Sequence, residues 1–376
     1  MFSQTDFSND IEQLLVESAV RYLSDNYDFH NHYQNIKSGN PVNRDTWLTM
    51  ADLGWLAVPC DEAYGGLSGS YSEMLSLLTV QAEYLVLEPM ASQWLTAILI
   101  QELGDEQQKE TFLPGIVNGS VRCALALYDE GYDYQTNHTL IANHGDGTAT
   151  TKGVKSFVTD TQDLTHILLL ASDLARGDAT WLLLPADEPG LSVNHYAGAD
   201  DRPMGNVQIE IPNLKLDTCL LDSGNSRECT QHIFNLAFAF NCADSLGCIN
   251  KLLEATSQYL KDRNQFGQPL AEFQALQHKL ADMYIAHQRA TSMASMLTES
   301  LATSDRANHD YLLSLAHIQI HDAARFVAEA AVQLHGGIGV TEELNVGHFA
   351  KRLMCNAHRY GDRNFHLNRC NQKFTR

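Results

Sequence analysis

The feature that most limits how this chain can fold is a pair of apolar stripes at helical spacing, one on each side of a short polar segment. The first stripe consists of Leu246, Ile249, Leu253 and Leu260, and the second of Phe273, Leu276, Leu280 and Met283. Between them, Gly267 and Pro269 are typical of one helix ending and another beginning. The pattern predicts two helices whose connection carries Arg263, Gln265 and Phe266. A guanidinium suits phosphate oxygens and an aromatic face suits a nucleobase; the alternative is a surface turn with a solvated arginine.

The rest of the chain divides into three stretches. Residues 1–120 and 226–376 show helical periodicity, and Asp105 is a plausible N-cap within the first stretch. Residues 121–225 instead contain short apolar runs bounded by turn residues, and Asp146-Gly147 is a hairpin signal. Because strands do not alternate with helices, a doubly wound nucleotide-binding fold is excluded, and an α+β chain with a middle β domain is expected.

Charge limits the partners. The chain has 46 acidic residues against 25 Lys and Arg, for a formal net charge of −21. Nucleic acids and anionic membranes select basic faces, so neither is expected as a partner. A phosphate-bearing cofactor stays compatible, since it needs only a local basic pocket.

The chain's eight cysteines are scattered without a C-x-x-C pair, which is typical of reduced thiols inside cells. Residues 1–6 have no basic or apolar leader character, and no apolar run reaches the ~18 residues that would span a bilayer. We therefore expect a cytoplasmic protein without a membrane segment. Histidine spacing gives no metal motif, so no metal is expected.

The polar segment lies in a longer pattern formed by Tyr259, Arg263, Gln265, Phe266, Gly267, Pro269 and Gln274. This pattern resembles the signature of the acyl-CoA dehydrogenase family, Tyr-x-x-x-Arg-x-Gln-Phe-Gly-x-Pro-x-x-x-x-Gln. The resemblance implies an N-terminal helical domain (1–120), a middle β domain (121–225) and a C-terminal four-helix-bundle domain (226–376). It also implies FAD, with Arg263, Gln265 and Phe266 reaching the pyrophosphate and adenine end across a subunit interface.

Two further segments extend the resemblance. Gln333-Leu334-His335-Gly336-Gly337 matches a family motif that brings backbone and a glutamine side chain to FAD, which implicates Gln333, Gly336 and Gly337. The alternative is a plain helix C-cap. The segment 153–159 matches the strand whose aromatic residue and threonine lie against the flavin ring, which implicates Phe157 and Thr159; its alternative is a buried strand aromatic.

The chain also departs from the family. Residues 128–134 replace the small-residue flavin and CoA segment Thr-Glu-Pro-x-Ala-Gly-Ser-Asp. The reaction needs a carboxylate to remove an α proton while hydride leaves the β carbon. The commonest position for that Glu falls in the segment 359–363, which contains none, and a second known position is Ala237.

Asp244 is the remaining candidate base, because it lies two helical turns after Ala237 on a helix that is otherwise apolar. The alternative is a structural aspartate paired with an arginine. Asp362 is a weaker candidate, since Arg359 and Arg363 flank it.

Three functional hypotheses follow from the resemblance. The first is an FAD-dependent dehydrogenase that converts an acyl-CoA to a 2,3-enoyl thioester and passes electrons to an electron-transfer flavoprotein. The second is a non-catalytic subunit that completes the FAD site of a related chain, as in bacterial heterotetrameric steroid side-chain dehydrogenases of this family. The third is a flavin enzyme of the same fold with oxygen-using chemistry. All three imply a homo- or hetero-oligomer, with a dimer of dimers expected.

Overall fold

The structure is a computed structural model, and it describes residues 9–131, 139–174, 178–221, 224–303 and 306–372, with the side chains of 306–308 excluded. The chain forms two compact units. Unit 1 comprises residues 1–34, 71–86 and 238–376, and unit 2 comprises residues 35–70 and 87–237. None of the helices in the described ranges has an apolar stretch sufficient to cross a bilayer.

Helices dominate both ends of the chain. The described α-helices are α1 (Asp10–Asn26), α2 (Phe29–Lys37), α3 (Arg44–Asp52), α4 (Tyr71–Glu83), α5 (Met90–Leu103), α6 (Glu106–Val117), α7 (Leu216–Cys219), α8 (Ser226–Asp262), α9 (Gln274–Ala302), α10 (Arg306–His335), α11 (Asn345–Asn356) and α12 (Arg363–Gln372). Asp105 caps α6 in a capping box with Gln108, as its position in the sequence predicts.

Unit 2 contains a mostly antiparallel sheet whose order in the described residues is β6-β7-β3-β2-β4-β5-β8, with β1 pairing to β4. Its strands are β1 (Cys123–Ala126), β2 (Leu140–Asn143), β3 (Thr148–Thr159), β4 (His166–Asp173), β5 (Ala179–Pro185), β6 (Leu191–Ala197), β7 (Pro203–Lys215) and β8 (Leu220–Leu221). The predicted hairpin at Asp146-Gly147 is confirmed, because β2 pairs antiparallel with β3 across it. Among the described residues, a single short helix, α7, interrupts the strands from β1 to β8, and most neighbouring strands pair antiparallel, which confirms the α+β class.

The core of unit 1 is helical. In it, α10 packs against α9, α11 and α12. Helices α8 and α4 approach closely at Gly247, where an added Cβ would lie 2.0 Å from the Thr79 carbonyl oxygen. Only glycine permits this approach, because any side chain would force the two helices apart.

The apolar side chains of α1 are only partly buried. In α1, Ala19 and Leu23 are buried, but Ile11 and Leu14 are 59% and 65% exposed. Glu12 is buried instead, and its carboxylate accepts hydrogen bonds from Ser72 and Ser76 of α4. A carboxylate can replace an apolar side chain there because the facing helix supplies the donors.

Candidate functional site

The segment between the two long helices is a small β-hairpin. Strand β9 (Asn264–Gln265) pairs antiparallel with β10 (Gln268–Pro269), and Phe266 and Gly267 form the two-residue turn. Both turn residues have positive φ, 55° and 83°, as the tightest hairpin turns require. Phe266 is 89% exposed, although its ring meets Phe273 edge-on at 6.1 Å. An exposed aromatic side chain on an unfavourable backbone is presented outward at some cost in free energy.

Arg263 connects this hairpin to the end of α8. Its backbone N–H donates to the Tyr259 carbonyl at 2.9 Å, and its carbonyl accepts from Leu270 N–H at 2.8 Å. The side chains of Arg263 and Gln265 are exposed. The backbone at the hairpin is therefore fixed while its polar side chains project from the surface.

The glycine segment follows α10. Gln333 is exposed in the last turn of that helix, and Gly336–Val340 form a short 3-10 helix. Gly336 needs a positive φ of 67°, whereas Gly337 has neither a positive φ nor any atom within 4 Å of where a Cβ would be. Nothing within the described chain requires residue 337 to be glycine. Its missing side chain leaves space open at the surface.

The structure brings the two predicted motifs of unit 1 together. The Tyr259 ring, one turn before Arg263, stacks on the His335 ring with 4.3 Å between centroids. The Tyr259 hydroxyl donates to the His335 carbonyl at 3.3 Å. The hairpin and the glycine segment are therefore neighbours on one surface, which we call the hairpin–glycine surface (Arg263, Gln265, Phe266, Gln333, Gly336 and Gly337).

The other predicted cofactor residues, Phe157 and Thr159, lie at the end of β3 in unit 2. The pairing with β7 shifts register between Lys155 and Val158, so β3 contains a bulge at this point. Phe157 lies in the bulge with a φ of 56° and is 50% exposed, so it is not the buried strand aromatic set out as the alternative. Thr159 is half-buried, and its hydroxyl donates to the Asp160 carboxylate at 3.3 Å.

Two features beside the bulge were missed by sequence reasoning. Lys155 and Asp129 form a buried ion pair, with Nζ and Oδ1 separated by 3.0 Å. Asn206 accepts a hydrogen bond from the Phe157 N–H at 3.4 Å. No local signal reveals either contact, because the partners come from different segments of the sheet. Residues 132–134 of the departing segment lie outside the described residues.

Asp244 is held in an ion pair. Arg352 donates to both of its carboxylate oxygens, with Nε at 2.9 Å from Oδ2. Asn356 also donates to Oδ2, at 2.7 Å, and the remaining guanidinium nitrogen donates to the Val86 carbonyl at 2.9 Å. Asp244 and Arg352 are 8% and 3% exposed. Asp244 is therefore a buried aspartate paired with an arginine, which is the alternative interpretation of this residue given from the sequence.

A group of buried histidines lies next to the Asp244–Arg352 ion pair. Ser245, next to Asp244, lies 3.1 Å from the His321 Nε2, and the His321 Nδ1 donates to the His317 carbonyl at 2.8 Å. The His317 ring stacks on that of His366, with 3.8 Å between centroids. Burial lowers the pKa of His321 to about 4 and that of His366 to about 3, and lowers the pKa of His317 well below its usual value. We call these residues, together with Asp244, Arg352, Asn356 and Asn241, the buried polar network.

Ala237, one of the two positions that the resemblance gives for the base, is fully buried. In the segment 359–363, where the other falls, Gly361 has a φ of 124° and an added Cβ there would lie 2.4 Å from the Phe365 ring. Asp362 accepts a hydrogen bond from the Phe365 N–H at 2.8 Å and so caps the start of α12. Arg363 pairs with Asp322 instead of Asp362.

Another acid of unit 1 has an altered pKa. Burial raises the pKa of Glu83 at the end of α4, against the opposing effect of a hydrogen bond from Asn250 at 2.8 Å. The side-chain Oδ1 of Asn250 in turn lies 2.8 Å from the His287 Nε2. Glu83 is thus a carboxyl that holds a proton more readily than a solvated one.

In the described ranges, no group of three or more His, Cys, Asp or Glu side chains could hold a metal ion. All eight cysteines are free thiols, and only Cys355 is partly exposed.

Comparison with known proteins agrees with this architecture. The acyl-CoA dehydrogenase N-terminal domain matches residues 9–120, and the acyl-CoA dehydrogenase C-terminal domain matches residues 228–374. A probable acyl-CoA dehydrogenase of Bacillus subtilis, YngJ, is 24% identical over 89% of this chain and 90% of its own length.

Solved structures show the same fold. The ChsE4-ChsE5 complex of Mycobacterium tuberculosis superposes with a TM-score of 0.90 at 20% identity, covering 99% of each chain. A variant of the Tcur3481-Tcur3483 steroid ACAD gives a TM-score of 0.87 at 24% identity, covering 97% of this chain and 98% of that one.

The chain belongs to the acyl-CoA dehydrogenase family, as its motifs predict. Membership in this flavoprotein family of oxidoreductases also supports the prediction of FAD as the cofactor. The family match does not assign roles to individual residues.

Proposed function

We propose that this chain is the FAD-site-forming subunit of a heteromeric acyl-CoA dehydrogenase whose catalytic base is supplied by a different chain. The proposal keeps the reaction of the family, the α,β-dehydrogenation of an acyl-CoA thioester. It divides the reaction's requirements between two polypeptides. The ChsE4-ChsE5 complex is a solved structure of the same fold that contains two different chains.

The observation that carries the proposal is the pairing of Asp244 with Arg352. A general base must reach the substrate and accept its proton. Both carboxylate oxygens of Asp244 already accept hydrogen bonds from a buried guanidinium, and freeing one would leave the Arg352 charge without its partner. We therefore infer that Asp244 stabilises the fold, while Ala237 and Gly361 leave the two usual base positions without an acid.

The hairpin–glycine surface is the part of the chain that we propose binds FAD. Its arginine, glutamine and phenylalanine side chains are exposed, and space is open around its two glycines. A guanidinium binds pyrophosphate oxygens, an aromatic ring stacks on a base, and glycines let backbone approach a ligand. These residues fit FAD, and FAD when bound supplies the acceptor for the hydride.

Within that assembly, the chain's own residues bind and orient. Arg263 is proposed to hold the pyrophosphate, Phe266 to contact the adenine, and Gln265 and Gln333 to donate hydrogen bonds beside them. Gly336 and Gly337 leave room for the cofactor. In unit 2, Phe157 and Thr159 are proposed to contact the flavin ring. An electron-transfer flavoprotein is the proposed electron acceptor.

Visible absorption tests this proposal. The chain is purified alone and after co-expression with related acyl-CoA dehydrogenase chains from the same genome, and acyl-CoA thioesters are then added anaerobically. We expect stoichiometric flavin and bleaching only in the co-purified complex. Bleaching by the chain alone would overturn the proposal, as would the absence of flavin from every complex that forms.

A second candidate is a self-sufficient dehydrogenase, and Glu83 favours it because burial raises the pKa of this carboxyl. A carboxyl whose pKa is raised by burial is a candidate for general acid–base chemistry. Glu83→Gln distinguishes the two candidates if the chain alone proves active. Loss of bleaching with flavin retained would identify Glu83 as the base, whereas unchanged bleaching would exclude it.

A further inference from the structure

The backbone of Phe157 has an unusual conformation. A positive φ is uncommon for a residue with a side chain, and for a bulky residue it is costly unless the surroundings enforce it. Phe157 nevertheless has a φ of 56° inside a strand, with half of its side chain exposed. Half of the Phe157 side chain is exposed, so burial of this ring compensates only part of the cost of the strained backbone.

The surroundings of the bulge show what enforces it. The segment before residue 131 runs beside β3, since Ser156 N–H donates to the Tyr128 carbonyl at 2.8 Å and Glu130 N–H donates to the Val154 carbonyl at 3.2 Å. The buried Lys155–Asp129 ion pair lies between these two backbone hydrogen bonds. The pair therefore fastens the neighbouring segment to β3 immediately before Phe157.

The ion pair is itself well satisfied. Lys155 Nζ donates to the Leu127 carbonyl at 3.1 Å as well as to Asp129, and the Thr139 hydroxyl donates to Asp129. Lys155 is fully buried and Asp129 is 4% exposed. Burial lowers the pKa of Lys155 to about 8 and the Asp129 charge opposes that effect, so the amine keeps its proton at neutral pH. A buried ion pair is a weak source of stability, although removing one partner alone is strongly destabilising.

On the neighbouring strand β7, the side-chain Oδ1 of Asn206 accepts hydrogen bonds from both the Phe157 N–H and the Tyr196 hydroxyl, each at 3.4 Å. The bulge is thus held from two directions, by charged side chains on one side and by β7 and β6 on the other. A structure that imposes a strained backbone on an exposed aromatic ring indicates that the ring must be presented in one place.

We propose that Lys155 and Asp129 are positioning residues that fix the β3 bulge so that the Phe157 ring is presented to the flavin. This inference rests on the proposed function for its ligand. The constraint on the bulge is a property of the chain itself and can be measured without FAD.

The first test uses the double variant Lys155→Met/Asp129→Leu, which removes both charges without leaving one buried. We expect backbone amide exchange at Ser156 and Glu130 to become faster, while amides in the centre of the sheet keep their protection. Lys152→Met on the same strand is the matched control, because Lys152 pairs with Glu210 at the surface. Unchanged exchange at Ser156 and Glu130 in the double variant would overturn the constraint.

The second test measures FAD affinity by titration of the apo form of the flavin-containing complex, with flavin fluorescence as the signal. If the Phe157 ring is displaced from the flavin, FAD affinity should be about tenfold lower in the double variant. The Lys152→Met complex should keep the wild-type affinity. A second variant, Lys155→Arg, keeps the charge and should recover much of the affinity. Faster exchange at the bulge with unchanged FAD affinity would overturn the positioning role.

The outcomes separate this inference from the proposed function. If the wild-type chain forms no flavin-containing complex, the proposed function fails and the positioning role fails with it, whereas the exchange measurement still decides whether the ion pair constrains the bulge. If wild-type and double-variant complexes bind FAD equally, only the positioning role is overturned.

Discussion

Two regions of unit 1 use their polar residues in opposite ways. In the buried polar network, Asp244, Arg352 and Asn356 satisfy one another within the chain and are at most 8% exposed. On the hairpin–glycine surface, Arg263 and Gln333 are exposed, and Phe266 is 89% exposed on a strained backbone. In the first region the Asp244–Arg352 ion pair meets its partners within the chain, whereas the second region holds outward-projecting side chains on a strained backbone.

The difference indicates what each region is for. A buried charge that meets its partners inside the chain holds helices together, and removing one partner is costly. A surface arginine and an exposed phenylalanine add little to stability, so their presence in a strained turn points to a ligand or another chain. An acid in the sequence is therefore weak evidence for a catalytic base until its partners are known.

Removing Asp244 should have the largest effect. Asp244→Asn leaves the buried Arg352 guanidinium without its ion pair, so we expect a loss of about 3–5 kcal/mol in the free energy of unfolding. Urea denaturation of the isolated chain measures it. Asp322→Asn, which breaks the exposed pair with Arg363, is the control and should leave the midpoint nearly unchanged. Wild-type stability in Asp244→Asn, together with loss of flavin bleaching, would instead identify Asp244 as the base.

The histidines of the buried polar network make its stability depend on pH. The folded-state pKa of His321 is lowered to about 4, below its ordinary value of 6.5, so between these pH values the unfolded chain binds protons that the folded chain does not. The His321 contribution to stability should be constant above pH 6.5 and fall by about 3 kcal/mol as the pH drops to 4, since each pKa unit corresponds to ~1.4 kcal/mol.

Neighbouring charges act in both directions here. Asp322 and Asp244 raise the pKa of His321, but burial outweighs them, while Arg369 acts in the same direction as burial and lowers the pKa of His317 and His366. Urea midpoints measured from pH 8 to pH 4 check the slope. His321→Gln should flatten it, whereas His278→Gln, at an exposed position of α9, should not. An equal slope in wild type and His321→Gln would show that His321 does not contribute to the pH dependence.

Arg263→Ala tests whether the hairpin–glycine surface binds FAD. The isolated chain should keep its unfolding midpoint, because the side chain is exposed. The FAD-containing complex should lose about 10- to 100-fold in cofactor affinity, as a hydrogen bond to a charged group contributes about 1.5–3 kcal/mol. Arg325→Ala, another exposed arginine of unit 1, is the control for both measurements. Unchanged FAD affinity in Arg263→Ala would remove the main reason for assigning this surface to the cofactor.

The two glycines should show the smallest effects. Gly336→Ala forces a side chain onto a φ of 67° and is expected to cost about 1–2 kcal/mol in the isolated chain. Gly337→Ala meets no atom within 4 Å and should leave that stability unchanged, or slightly higher. In the complex, however, both alanines should weaken FAD binding. If Gly337→Ala binds FAD as well as wild type, the open space at this position does not serve the cofactor.

Much of the fold could be predicted because local signals agreed with the final structure. Asp105 caps a helix through hydrogen bonds to residues within one turn, and Asp146-Gly147 turns a hairpin whose strands are adjacent in sequence. The burial of Glu12 could not be predicted from its own segment. Its carboxylate is buried because Ser72 and Ser76 of another helix donate hydrogen bonds to it. The difficulty grew with the distance in sequence between the partners.

By itself the sequence determined the helical and β stretches, the family and the residues that make up the hairpin–glycine surface, since all of these are patterns along one segment. Tertiary structure alone decided that Asp244 meets Arg352, that Lys155 meets Asp129, and that the two motifs of that surface are neighbours. The partner of a buried charge is set by packing between segments that are far apart in the chain. Where the helices and strands meet decides which partner a buried charged residue has, and therefore which role that residue plays.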